Sequence, residues 1–157
     1  MASLESPMVD DDVDDPNGAF NLSPVQQMFL GQPKLPTQFH SSIYPRILED
    51  VEISLVTSAI EGIVRRHSML RARFTWGENG WQQNIVKDVP NPYSFEVHDI
   101  EDETRIREVV AAMHGLLDIV DGPVFATDIF NTNSGAKRLI LVAHHLVVNL
   151  VYWQTIL

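Results

Sequence analysis

Two adjacent imidazoles, His144 and His145, close an apolar run from Leu139 to Ala143, and Asn149 follows four residues later. An imidazole that titrates near pH 6.5 suits proton transfer at a carbonyl centre or an acidic C–H bond. Side chains of a strand alternate between faces. If the strand reaches the pair, Leu139, Leu141, Ala143 and His145 share one face while Ile140, Val142 and His144 share the other. The two histidines therefore cannot do the same job. The plainer reading is a pair of buried rings, each hydrogen-bonded to a backbone carbonyl. Asn149 likewise has a plain reading as the N-cap of a final helix, where Asn and Asp serve equally well.

The stretch His144-His145-Leu146-Val147-Val148-Asn149 resembles the His-His-x-x-x-Asp signature of condensation and epimerization domains of nonribosomal peptide synthetases, which share a fold with chloramphenicol acetyltransferase. Asn149 replaces the aspartate. Leu150 stands where condensation domains usually carry glycine, which is closer to epimerization-type domains, fungal ones especially. Two further stretches carry the same resemblance. Leu22-Ser23-Pro24-Val25-Gln26-Gln27-Met28-Phe29 is similar to the opening motif of the family, whose role is mainly architectural. Arg66-His67-Ser68-Met69-Leu70-Arg71 is similar to its second motif, which helps frame the substrate channel.

The resemblance implies that His145 is the general base and that His144 is its structural neighbour. In condensation the second histidine helps an amine attack an acyl thioester held on a carrier protein's phosphopantetheine arm. In epimerization it helps exchange the α-proton. The family aspartate is largely architectural and pairs with an arginine later in the domain, so Asn149 keeps the size but loses the charge. No cofactor is expected on this chain. The phosphopantetheine belongs to the carrier protein, the implied partner.

The elements that must position the pair follow from periodicity and capping. Ser23, Pro24 and Gln26 form a capping box before a helix that ends at Gly31, with Val25, Met28 and Phe29 on its expected inner face. Residues 38–47 read as an edge or interrupted strand, because Pro45 cannot donate to a ladder. Ser54 is the expected cap of a helix whose stripe is Val56, Ala59, Ile60, Ile63 and Val64. His67 continues that stripe and reads, with its flanking arginines, as structural.

Residues 72–76 and 81–87 form a hairpin across Asn79-Gly80, bringing Trp76 opposite Trp81. A short strand at residues 93–97 precedes a helix that starts near Asp99, with Ile106, Val109, Val110 and Met113 buried and Asp121-Gly122-Pro123 as its stop. His114 lacks the partner spacing of a metal motif. A last hairpin pairs residues 124–130 with 137–143, and its second strand is apolar on both faces, hence central.

The predicted class is α+β: a two-layer sandwich, a mixed sheet with helices on one side, forming one lobe of the chloramphenicol acetyltransferase-like fold. Residues 20–157 are that N-terminal lobe, and the acidic residues 1–19 are expected to be disordered. With 157 residues and 45% hydrophobic content there is room for one domain.

The net charge of −10 is concentrated at the start, since residues 1–20 hold six acidic side chains and no basic one. No basic face is left for nucleic acid. The absence of cysteine excludes a disulfide framework and fits a cytoplasmic setting. No apolar run is long enough for a membrane span.

Three functions are consistent with these residues. One is a truncated condensation- or epimerization-like domain, inactive alone for want of its second lobe. Another is a small self-associating acyltransferase that uses His145. The third is a non-catalytic module that pairs with another lobe or a carrier protein.

Overall fold

The computed structural model describes residues 18–32, 39–47, 51–87, 92–100, 102–133 and 135–156. The acidic tract lies outside these residues apart from Gly18 and Ala19. In chain order the elements are α1 (Pro24–Leu30), β1 (His40–Ile43), β2 (Arg46–Ile47), α2 (Ile53–Arg66), β3 (Ala72–Gly77), β4 (Gly80–Ile85), β5 (Ser94–Ile100), α3 (Glu103–Leu116), β6 (Phe125–Thr132), β7 (Lys137–His144) and α4 (Leu150–Ile156).

The main sheet runs β1-β7-β6-β5, with β2 also on β7; β5 and β6 are parallel and the other pairs antiparallel. The α+β class and mixed sheet follow the sequence reading. The layering differs from it. Leu139, Leu141 and Ala143 of β7 pack with Val56, Ile60 and Val64 of α2, whereas Ile140 and Val142 pack with Ile106 and Met113 of α3. Helices thus cover both faces of the sheet rather than one. The reason is composition: Ala126 and Phe130 of β6 are as apolar as Phe125 and Ile129 on its other face. A bare face would forfeit about 1.5–3 kcal/mol for each large side chain left in water.

Local boundaries show where tertiary pairing overrules pattern. Pro45 divides β1 from β2, yet both stay on β7. Helix α2 begins at Ile53 with Glu52 in the cap position, and Ser54, the expected cap, lies inside it with its hydroxyl on Glu52 Oε2 at 3.2 Å. Helix α3 begins at Glu103, capped by Asp102, rather than near Asp99. Parallel pairing with Asn131 and Thr132 holds Asp99 and Ile100 in β5.

The β3–β4 hairpin forms its own two-stranded sheet, with Trp76 opposite Trp81 and Gly80 at φ 99° supplying the turn. Phe20 extends it through a bridge to Gln83.

The connection from α3 to β6 is packed around a cation. Arg73 is 7% exposed and donates to the Ala72 carbonyl at 2.8 Å. Its guanidinium lies against Gly122, where a Cβ would come within 2.1 Å of it. Burial lowers the Arg73 pKa, and Asp118 and Asp121 act in the opposite direction. Gly122 has φ 80°, so both backbone and space require glycine.

Candidate active site

Strand β7 ends at His144, and the chain turns at once: the Val147 and Val148 N–H groups donate to the His144 carbonyl at 2.9 and 3.2 Å. Buried Leu146, Val147 and Val148 anchor this turn in the core shared with α2. His145 is thus the first residue of the turn rather than the last of the strand. Its N–H still bonds the Phe39 carbonyl at 2.9 Å, so the backbone remains tied to the segment that leads into β1.

The two rings part. His145 lies beside Phe39, with centroids 4.5 Å apart. It lines a cleft of about 410 Å³ together with Val25, Met28, Phe29, Met69, Leu146 and Tyr152. Among the described residues, none that lines the cleft is an acid, a lysine or an arginine. Among the described residues, no protein group hydrogen-bonds the His145 ring. An imidazole so placed has both nitrogens available to a guest.

His144 turns toward α3. Its ring meets His40, its β1 partner, edge-on at 5.3 Å, and His40 lies 5.2 Å from His114. The Leu146 N–H donates to His144 Nδ1 at 3.2 Å, which assigns the ring proton to Nε2 in the neutral form. Burial, then the like charges of His40 and His145, lower the His144 pKa to about 4, against an opposing effect of Asp118. Burial also lowers the pKa of His40 and of His114. His114 Nε2 is 2.9 Å from the Ser42 hydroxyl, while His40 Nδ1 is buried with no hydrogen-bond partner among the described residues. Among the described residues, no group of histidines and acids is arranged to hold a metal.

Asn149 caps the last helix. Its Oδ1 accepts the Tyr152 N–H at 2.7 Å at the start of α4. Trp153, one residue on, is buried and donates its indole N–H to Ser41 Oγ at 2.7 Å. The cap and the indole together fix α4 against β1.

Helix α1 keeps only part of its expected inner face: Phe29 packs against the core beside buried Leu30. Gln26 is 6% exposed, whereas Val25 and Met28 are 71% and 69% exposed. Val25, Met28 and Phe29 all border the His145 cleft. The cause is polar: Gln26 and Gln83 exchange two amide hydrogen bonds of 3.0 Å, and Gln26 also donates to the Leu146 carbonyl at 3.0 Å. The same Gln26 completes the capping box, accepting from the Ser23 N–H at 2.8 Å. Capping was legible in sequence. The anchoring of α1 to the turn after His145 was not, since Gln83 and Leu146 are distant along the chain.

The second motif surrounds the cleft without entering it, except for Met69. His67 ends α2, with Nδ1 3.1 Å from the Tyr152 hydroxyl. Arg71 donates to the Val64 and Val86 carbonyls at 3.2 and 2.9 Å. Phe39 and His40 were missed by sequence reasoning. No motif marks them, and only the β1–β7 register brings them to the histidine pair.

Two other features lie away from this centre. A cleft of about 950 Å³ is bordered by Glu61, Arg65, Arg71 and Tyr93. On the α3 side of the sheet, His98 Nε2 meets buried Asp128 at 2.7 Å.

Known proteins resemble this chain in sequence and in fold. A family model described as "Condensation domain" matches residues 17–157. The nonribosomal peptide synthetase vlms of Lecanicillium sp is 34% identical over 163 residues, covering 99% of this chain and 2% of that protein. The synthetase ungA' of Aspergillus campestris is 39% identical over 139 residues, covering 88% of this chain and again 2% of the relative. This chain therefore spans only a small part of the synthetases it matches.

Among solved structures, the epimerization domain from the third module of tyrocidine synthetase B superposes with TM-score 0.78 at 23% identity, over 87% of this chain and 31% of that one. The starter condensation domain of rhizomide synthetase gives 0.74 at 18% identity, over 88% and 35%. The sheet and its helices match one lobe of the chloramphenicol acetyltransferase-like fold. With its sequence matched across residues 17–157, this chain belongs to the condensation-domain family of nonribosomal peptide synthetases.

Proposed function

We propose that residues 20–157 form the histidine-bearing wall of a condensation- or epimerization-type site that acts on aminoacyl or peptidyl thioesters of a carrier protein, with His145 as the general base. The observation that carries this reading is the placement of the His145 ring on a cleft beside Phe39, where among the described residues nothing hydrogen-bonds the ring and no acid, lysine or arginine lines the wall. In condensation, an imidazole nitrogen of His145 takes a proton as the acceptor amine attacks the thioester carbonyl. The C–N bond forms, the C–S bond breaks, and the departing thiolate is protonated. In epimerization, the same nitrogen exchanges the α-proton. His144 stays neutral and structural under either chemistry, and Asn149 holds α4.

This chain matches about a third of each solved domain. We therefore propose that the opposing wall comes from a second lobe and that residues 1–157 alone do not turn over. Orientation in a closed site can supply roughly 7–11 kcal/mol of barrier lowering, more than one proton transfer contributes.

The test offers aminoacyl and peptidyl carrier proteins to the chain, alone and joined to the second lobe of a relative, and follows dipeptide formation and loss of α-deuterium. Turnover in the joined protein that disappears in His145→Ala is the expected result. Turnover by the chain alone, equally sensitive to His145→Ala, would favour a self-associating acyltransferase. Carrier-protein binding without turnover in any form would favour a binding module.

A further inference from the structure

A short surface helix ordinarily turns its apolar side inward, because each large apolar side chain left in water forfeits burial energy. Helix α1 buries Leu30 in this way but also buries Gln26, and it leaves Val25 and Met28 in solvent at the mouth of the His145 cleft. The arrangement is enforced, since Gln26 holds Gln83 and the Leu146 carbonyl through bonds of 3.0 Å. It presents Val25, Met28 and Phe29 toward the cleft that Phe39 and Met69 also border, with the Phe29 ring stacked on Phe39 at 3.8 Å. Methionine and phenylalanine give such a wall a pliable, polarizable surface. Among the described residues, no side chain of the lining carries a charge to pair with an ion. An ionised guest group would lose hydration against these residues without a charged partner among them.

We propose that α1 is a specificity element: Val25, Met28 and Phe29 select an uncharged, apolar acyl or side-chain group on the thioester presented to His145. The inference rests on the reading of this cleft as the thioester site, and it adds to that reading the chemical class of the group accepted. It gives the first motif a part in selection beside its capping role.

The test uses the whole chain with three stable probes, the hexyl, carboxypentyl and aminohexyl thioethers of N-acetylcysteamine. Binding is followed by NMR of the histidine ring and methionine methyl resonances. The expected result is that the hexyl probe shifts His145 and Met28 and binds roughly tenfold or more tightly than either charged probe. Val25→Asp, at an exposed position that folding tolerates, should erase that preference while circular dichroism is unchanged. Met28→Leu should keep it.

Equal binding of all three probes at His145 would overturn the selectivity while leaving the proton-transfer role of His145 standing. Loss of His145-dependent turnover in the joined protein would instead remove that role, whatever the probes do. Hexyl binding that moves neither His145 nor Met28, or no binding by the folded chain, would overturn the inference. So would a dimer, seen by sedimentation, that covers Val25 and Met28 with a second copy.

Discussion

His144 and His145 are neighbours in sequence and opposites in setting. One packs against His40 within reach of α3, accepts a backbone N–H, and has its pKa pressed to about 4. The other lines a cleft beside Phe39 where, among the described residues, nothing carries a charge and nothing hydrogen-bonds its ring. The difference teaches that residue type does not set the chemistry of an imidazole. The neighbours that the strand end gives His144 and the turn gives His145 do.

The largest effect expected from this contrast is catalytic. In a protein completed by a second lobe, His145→Ala should lower turnover by about 10²–10⁴-fold, the usual contribution of a general base. Its urea midpoint should move by no more than roughly 0.5 kcal/mol. His144→Ala should show the opposite balance, destabilising more than it slows chemistry per folded molecule. Equal kinetic losses from the two substitutions, with equal stability, would break the comparison.

Next in size is the backbone behind His144, whose N–H bonds the Val124 carbonyl at 2.9 Å just past the connection that wraps Arg73. Gly122→Ala adds a Cβ at φ 80° into the Arg73 guanidinium. It should cost about 2–4 kcal/mol in denaturant unfolding, from backbone strain together with overpacking.

The histidine cluster gives the comparison a pH signature. His40, His114 and His144 have folded pKa values below their unfolded value of 6.5. The unfolded chain therefore binds more protons as pH falls from 6.5 toward 4, and stability is lost across that window. Above 6.5 the contribution is fully present. Allowing for solvent at half-buried rings, the loss should be on the order of 1–3 kcal/mol, measured as urea midpoints at pH 7 and pH 4.5. Groups facing the cluster include Asp118, whose charge opposes the shift at His144. His144→Gln should flatten the profile.

The smallest effects belong to Asn149. Asn149→Ala should cost about 1 kcal/mol by removing the cap of α4, while Asn149→Asp should be near neutral in stability. Asn149→Asp should also fail to give the isolated chain activity, because the change restores a charge and supplies no opposing wall. Thermal melts together with the carrier-protein assay check both outcomes.

The capping box of Ser23 and Gln26, the Asn79-Gly80 turn and the apolar β7 were all legible because their signals are local, whereas α3 ends at Leu116, short of the expected stop at Asp121-Gly122-Pro123. Bonds and sterics within four or so residues decide them. The inner face of α1 was legible at Phe29 but not at Val25 and Met28. Apolar periodicity counts all three inward by default, and only Gln83, brought close by the hairpin, gives Gln26 a buried partner. The start of α3 moved for a related reason, since β5–β6 pairing outweighed the acidic run as a helix signal.

The sequence by itself determined that β7 would be a central strand, that two histidines would stand at its end, and that Asn149 would suit a helix cap. Patterning and chain-local hydrogen bonds suffice for each. Tertiary structure decided the rest: that His40 and His114 join His144, that Phe39 and the outer side of α1 flank His145, and that helices cover both faces of the sheet. Those outcomes depend on which distant strands pair and in what register. That is settled by burying both faces of β6 and β7 at once, and no single segment of the chain contains that information.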